Sequence, residues 1–166
     1  MQTPFHTVGL VGKYDNQGME ASLRALGEFL RGRGHTVLLA CQSAEHLGIS
    51  DFPTRNLHDL ATESDAVVVL GGDGTMLSIA RRLAPHDVPL IGINQGRLGF
   101  LTDIPLARME PTLEAMLEGR FVEERRTLLD ATVCRFGGEQ QAALALNDVV
   151  VNRGSLGTMI ECAVEI

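Results

Sequence analysis

Tryptophan is absent from this 166-residue chain and tyrosine occurs once, leaving six phenylalanines as almost the whole aromatic content. Basic charge is also scarce: 14 Lys and Arg face 21 Asp and Glu, the net charge is −7, and the two signs are interspersed. No basic footprint therefore points to a nucleic-acid backbone, and a small polar ligand is the expected partner. Long apolar runs are missing as well. The longest, such as Ala66 to Leu70 and Val88 to Ile93, fall far short of the ~20 residues that span a bilayer, so no transmembrane helix is expected. Met1 to Thr7 lacks the basic start and apolar stretch of a signal peptide, which makes the cytoplasm the default compartment. Three cysteines, Cys41, Cys134 and Cys162, fit no CxxC pattern and read as reduced, mostly buried thiols. His6, His35, His46, His58 and His86 show no ligand-like spacing, which argues against zinc. No serine lies in a G-x-S-x-G elbow, which argues against a hydrolase of that kind.

What is present is a globular composition, 45% hydrophobic and 21% charged, with a mean hydropathy of +0.09. Its length suits one domain, or one domain and part of another. Thr7 to Val11 reads as a strand. Met19, Leu23, Leu26 and Leu30 recur at helical spacing until Gly32 and Gly34, and Val37 to Cys41 is a second strand, so the chain opens with a βαβ unit. Gln42 to Ser64 is polar and poorly patterned, with at most a short helix near Leu57 to Ala61. Ala66 to Leu70 is continuously apolar, the pattern of a central parallel strand covered on both faces. A helix carrying Met76, Leu77, Ile79, Ala80 and Leu83 is ended by Pro85, and Leu90 to Ile93 is the next strand. Pro111 opens a further helix that Gly119 closes.

Strands alternating with helices predict a Rossmann-like parallel α/β domain over residues 1–120. Beyond it the rhythm changes. Val122 to Leu129, Thr132 to Phe136, Ala142 to Leu146 and Met159 to Ile166 are strand-like, with a hairpin turn at Gly137-Gly138. Residues 121–166 are therefore expected to begin a mostly β, sandwich-like second domain. It looks cut off, because the chain stops inside a strand pattern.

Three motifs carry chemistry. Gly71-Gly72-Asp73-Gly74-Thr75 follows the apolar strand, at the end of the sheet where open α/β folds place ligands. Its glycines let a phosphate chain approach the backbone, and the helix that begins near Thr75 turns its positive end to the same place. A carboxylate there repels phosphate, so Asp73 either takes a proton from an attacking hydroxyl, helps hold a magnesium ion, or merely caps the helix. Asn147-Asp148 interrupts the apolar run Ala145 to Val151, either displaying an amide and a carboxylate to ribose hydroxyls or making a bend. The loop Asn94 to Asp103 is again glycine-rich after a strand, and its Phe100 either stacks on a base or joins the core.

With these motifs in view, the chain resembles a bacterial NAD kinase, the family that phosphorylates the 2′-hydroxyl of the adenosine ribose of NAD to make NADP. The resemblance runs from Val8 to Ile166. It rests on Gly71-Gly72-Asp73-Gly74-Thr75-Met76-Leu77, on the run from Ile91 to Asp103, and on Ala145-Leu146-Asn147-Asp148-Val149-Val150. The first motif alone is shared with lipid and phosphofructo-kinases; the other two, in this order and spacing, are more specific. The resemblance implies that Asp73 is the proton acceptor, with Gly74 beside it at the nucleotide; Gly71, Gly72 and Thr75 remain candidate nucleotide-binding residues of the same loop. It further implies that Leu77 and Phe100 line the NAD pocket and that Asn147 and Asp148 hold ribose hydroxyls; no residue is singled out as a metal ligand, though a metal contact at Asp73 stays open. ATP or polyphosphate would be the donor, with a divalent metal, magnesium foremost, and the assembly a homodimer or homotetramer.

Two departures stand out. The family usually has Asn-Glu where this chain has Asn147-Asp148, so the carboxylate is one methylene shorter. Thr158, a further candidate ligand, occupies a place where many members carry a basic or imidazole side chain. Members of the family also continue for over a hundred residues beyond the equivalent of Ile166, so the 166-residue piece alone is expected to have little activity. The competing expectations are a diacylglycerol-type lipid kinase, sharing the same glycine loop, and a non-catalytic nucleotide-binding fragment.

Overall fold

The structure, a computed structural model, describes residues 5–13, 18–96, 99–138, 140–152, 161 and 163. The chain divides into two compact units, Met1–Arg125 and Arg126–Ile166.

In the first unit six strands form one sheet: β1 (Thr7–Gly12), β2 (Thr36–Ala40), β3 (Thr54–Arg55), β4 (Ala66–Gly71), β5 (Leu90–Asn94) and β6 (Ile104–Pro105). Every pairing is parallel, and the spatial order is β3-β2-β1-β4-β5-β6. The helices are α1 (Met19–Gly32), α2 (Cys41–Leu47), α3 (Leu57–Glu63), α4 (Asp73–Leu83) and α5 (Met109–Leu117). This is the α/β, Rossmann-like architecture that the alternation of strands and helices predicts. The chain walks outward from β1 to β3, returns to the far side of β1 at β4, and walks outward again. Between β1 and β4 the direction reverses, and the crevice at their carboxyl ends is where such sheets bind ligands.

The period of two along the strands explains how both faces are covered. Ala66, Val68 and Leu70 of β4, with Val37 and Leu39 of β2, join Leu23, Leu26 and Leu30 of α1 and Leu113 of α5. The intervening Val67 and Val69, with Leu38 and Ala40, join Leu60 of α3 and Met76, Ile79 and Leu83 of α4. Each fully buried Leu or Val contributes roughly 1.5–3 kcal/mol relative to exposure, and all six residues of β4 are buried. Two cores on opposite faces thus fix the register of the strand that delivers the glycine loop.

The structure adds elements to the region expected to be unpatterned. α2 buries only Ser43 and Ala44, so it shows no apolar stripe. A polar anchor holds it instead: Ser43 Oγ accepts from the Gly12 N–H at 3.0 Å and donates to the Gly12 carbonyl at 3.1 Å. Cys41, expected in the second strand, opens this helix. Both sheet edges are two-residue strands, β3 directly after Pro53 and β6 containing Pro105, too short and too proline-marked to read as strands.

The second unit contains a hairpin of β7 (Leu129–Cys134) and β8 (Gln140–Ala145), antiparallel, with Thr132 opposite Ala142. Gly137 and Gly138 take φ of 109° and 86°, a left-handed turn open to glycine. The strands start two or three residues before the expected bounds, and residues 122–128, expected to be a strand, form none. Four consecutive charged residues, Glu123 to Arg126, account for that. The expected strand Met159–Ile166 lies outside the described residues except for Glu161 and Ala163. Cys134 is exposed and Cys41 half-buried, both free, so the expectation of mostly buried thiols is corrected for these two. Cys134 sits on a hairpin that buries little, and Cys162 is outside the described residues.

Candidate functional site

β4 ends at Gly71 and α4 begins two residues later, so the glycine loop is the junction of strand and helix. An added Cβ on Gly71 would lie 2.8 Å from Thr75 Oγ1, so its smallness serves the packing of the first helical turn. Gly72 and Gly74 differ: a Cβ on either would meet nothing within 4 Å. The fold itself does not require those two glycines, and the space beside them is open to a ligand.

Asp73 is the first residue of α4, ahead of the Thr75 start expected from the pattern. The capping position belongs to Gly72, which has no side chain to offer. The Asp73 carboxylate does not cap its own helix, which removes the capping reading of this residue. It reaches across to the loop after β5. Oδ2 accepts from the Phe100 N–H at 2.8 Å. Oδ1 accepts from the N–H groups of Leu101 and Thr102 and from the Thr102 hydroxyl, each at 3.0 Å. Burial is the largest single influence and pushes the carboxyl pKa up, but the four hydrogen bonds together outweigh it and hold Asp73 below its ordinary value.

The loop is itself anchored. Asn94, the last residue of β5, is buried, as is Thr102, and the Asn94 amide donates to the Thr102 hydroxyl at 2.9 Å. Gly99 passes so close that an added Cβ would sit 2.0 Å from Asp73 Oδ1. Phe100 is 97% exposed, so the core alternative for its ring is excluded. Gly99, Thr102 and Asn94 are the residues that motif reading passed over. The glycine-rich loop was visible, but its hydrogen bonds to Asp73 join residues nearly thirty apart.

On the other side of the glycine loop lies a cleft of about 400 Å³. Gly12 and Lys13 from the end of β1, Ser43 from α2, and Gly72, Gly74, Thr75, Ser78 and Arg82 from α4 line it. This is the crevice at the reversal between β1 and β4. Two cations and the positive end of the α4 dipole make it attractive to anions. Lys13, Ser43 and Arg82 carry no motif in the sequence; only the order of the strands brings them together.

The sequence candidates therefore divide. Gly71, Gly72, Asp73, Gly74 and Thr75 are consecutive, and the bond from the Phe100 N–H to Asp73 brings Phe100 beside them. Leu77 follows on α4, half-buried. Asn147 and Asp148 belong to the second unit, just past β8, where both are exposed. Thr158 lies outside the described residues.

Comparison with known proteins adds a family to this geometry. Residues 8–121 match the ATP-NAD kinase N-terminal domain. Over its whole length the chain is 68% identical to an NAD kinase of Thiobacillus denitrificans, covering 57% of that protein. It is 48% identical to an NAD kinase of Nitrosospira multiformis, covering 56% of it and again all of this chain. The chain thus spans little more than half the length of these curated relatives. A crystal structure of yeast NADH kinase complexed with NADH matches its fold with a TM-score of 0.73, over 88% of this chain and 48% of that one, at 20% identity.

Proposed function

The chain belongs to the NAD kinase family, and from that premise we propose that the complete protein transfers a phosphoryl group from ATP, or polyphosphate, to the 2′-hydroxyl of the adenosine ribose of NAD, giving NADP. The observation that carries the reading is the placing of the Asp73 carboxylate at the amino end of α4, held toward the Phe100 loop, beside a cationic cleft.

In the reaction the ribose 2′-oxygen forms a bond to the terminal phosphorus, and the bond from that phosphorus to its bridging oxygen breaks. Asp73 takes the hydroxyl proton as the oxygen attacks, and ADP or a shortened polyphosphate leaves. Charge develops on the transferring group next to the amino end of α4, where the positive end of the helix dipole stabilises it. Lys13 and Arg82 hold the donor phosphates in the cleft, and the open space at Gly72 and Gly74 lets those phosphates reach the backbone. Gly71 and Thr75 shape that turn. Phe100 and Leu77 line the NAD side, with Phe100 offering its exposed ring to a base. Asn147 and Asp148 bind ribose hydroxyls, with Thr158 as a further contact.

Among the described residues no three His, Cys, Asp or Glu side chains gather where they would hold a metal ion. Both Asp73 oxygens already accept hydrogen bonds. Magnesium enters the proposal as a companion of the donor phosphates. No described helix is long and apolar enough to cross a membrane. We place the protein in the cytoplasm, as a homodimer or homotetramer with a 1–120 nucleotide domain and a β-rich NAD domain from residue 121.

Incubating the complete protein with NAD, ATP and magnesium and reading product with an NADP-specific dehydrogenase tests the proposal. Steady NADP formation is expected, and phosphorylation of a lipid with no NADP formed would sink it.

A further inference from the structure

We propose that Thr102 is a positioning residue that turns the Asp73 carboxylate so that Oδ2, and not Oδ1, receives the proton of the substrate hydroxyl. The inference rests on the reading of Asp73 as proton acceptor.

The direction of the hydrogen bonds can be followed from Asn94. Its Oδ1 accepts the Gly96 N–H at 2.7 Å. Its Nδ2 donates to the Thr102 carbonyl at 3.3 Å and the Thr102 hydroxyl at 2.9 Å. Turning the amide over would set donor against donor at Gly96 and acceptor against carbonyl at Thr102, so the partners fix its orientation. Because the Thr102 hydroxyl accepts from Asn94, its single hydrogen is committed elsewhere, and Asp73 Oδ1 lies 3.0 Å away. The relay therefore runs one way, from Gly96 through Asn94 and Thr102 to Asp73.

Counting donors on the carboxylate separates its two oxygens. Oδ1 accepts three hydrogen bonds, from Leu101 N–H, Thr102 N–H and the Thr102 hydroxyl. A carboxylate oxygen has about two lone-pair directions, so Oδ1 is saturated. Oδ2 accepts one bond among the described residues, from the Phe100 N–H, and keeps a direction free for an incoming proton. That oxygen is also the one bonded at the residue whose ring is fully exposed. Asn94 and Thr102 are both buried, at 3% and 0% exposure, so water does not compete for the relay.

The test uses the complete protein with Thr102→Val, which deletes the hydroxyl but keeps the shape and the backbone donor, and Thr102→Ser, which keeps the hydroxyl. Two quantities are read: the pH titration of the Asp73 carboxyl by carbon-13 NMR, and kcat and KM for NAD across pH. Losing a donor to the charged form disfavours that form. The Asp73 titration and the acid limb of kcat should both move to higher pH in Thr102→Val. Its kcat should fall about tenfold, the scale of one hydrogen bond to a charged group, with KM for NAD changed less than about threefold. Thr102→Ser should behave as wild type. An unmoved Asp73 titration in Thr102→Val overturns the inference whatever the activity, and so does equal impairment of the two variants. A titration that moves while kcat stays put leaves the relay standing and overturns the proton-acceptor reading instead.

Discussion

Replacing Gly99 with alanine puts one methyl group where the Asp73 carboxylate lies. The new Cβ would stand 2.0 Å from Oδ1, 2.5 Å from Cγ and 2.7 Å from Oδ2, whereas ordinary van der Waals contact begins at 3.4 Å. Neither side can retreat cheaply. Asp73 is fixed at the start of α4, and its oxygens are bound to Phe100, Leu101 and Thr102, the three residues after Gly99. Opening the gap therefore breaks hydrogen bonds to a charged group, at about 1.5–3 kcal/mol each, and displaces the carboxylate by about 1 Å, a misplacement that costs on the order of 10²-fold in rate. NADP formation by the complete protein should fall by about 10²-fold in kcat, while the urea m-value stays as in the wild type. A Gly99→Ala protein within threefold of wild-type kcat would refute the reasoning, because the carboxylate would then not need the place the structure gives it.

Other perturbations separate the donor side from the NAD side. Lys13→Ala and Arg82→Ala should each raise KM for ATP about tenfold, the scale of one lost charge-assisted hydrogen bond, and leave KM for NAD nearly unchanged; steady-state kinetics with each substrate varied decides this. Phe100→Ala should raise KM for NAD by roughly 5–100-fold, from a stacking contribution of about 1–3 kcal/mol, with no change in thermal midpoint because the ring is 97% exposed. Asp65 accepts from the Thr7 and His6 N–H groups, which hold its pKa below the ordinary value despite some burial. A carboxyl lowered in the folded state binds fewer protons there than in the unfolded chain, so its contribution is full above the unfolded pKa of about 3.9 and is lost as pH falls through the folded value. Urea unfolding of Asp65→Asn should accordingly lose part of the rise in stability that the wild type shows as pH climbs toward about 4; an unchanged slope would contradict it.

The parts of the fold that were legible in the sequence are those whose pattern is local. Ala66 to Leu70 is apolar at every position because both faces are covered, and Met19, Leu23, Leu26 and Leu30 mark the buried stripe of α1. α2 was not legible because a serine hydroxyl bound to Gly12, and no apolar stripe, secures it. β3 and β6 are two residues each, shorter than any periodicity can register. At the site, the glycine loop could be read because its spacing lies in five consecutive residues. The capping alternative for Asp73 could be decided only by seeing its carboxylate bonded to residues 100–102. The run Ile91 to Asp103 could be read as a motif, but not that Leu101 and Thr102 within it hold Asp73; that depends on β5 lying beside β4, with Ile93 level with Leu70. Lys13 and Arg82 became visible for the same reason, through the reversal of strand order between β1 and β4.

On the proposed mechanism the Asp73 carboxylate accepts the proton of the hydroxyl that is phosphorylated. Single-turnover NADP formation by the complete protein, comparing wild type with Asp73→Asn at saturating NAD and ATP, tests it most directly. An amide is no base at this position, so the chemical step should slow by about 10²–10⁴-fold, the range of general base catalysis. An Asp73→Asn protein that forms NADP at the wild-type single-turnover rate would contradict the account.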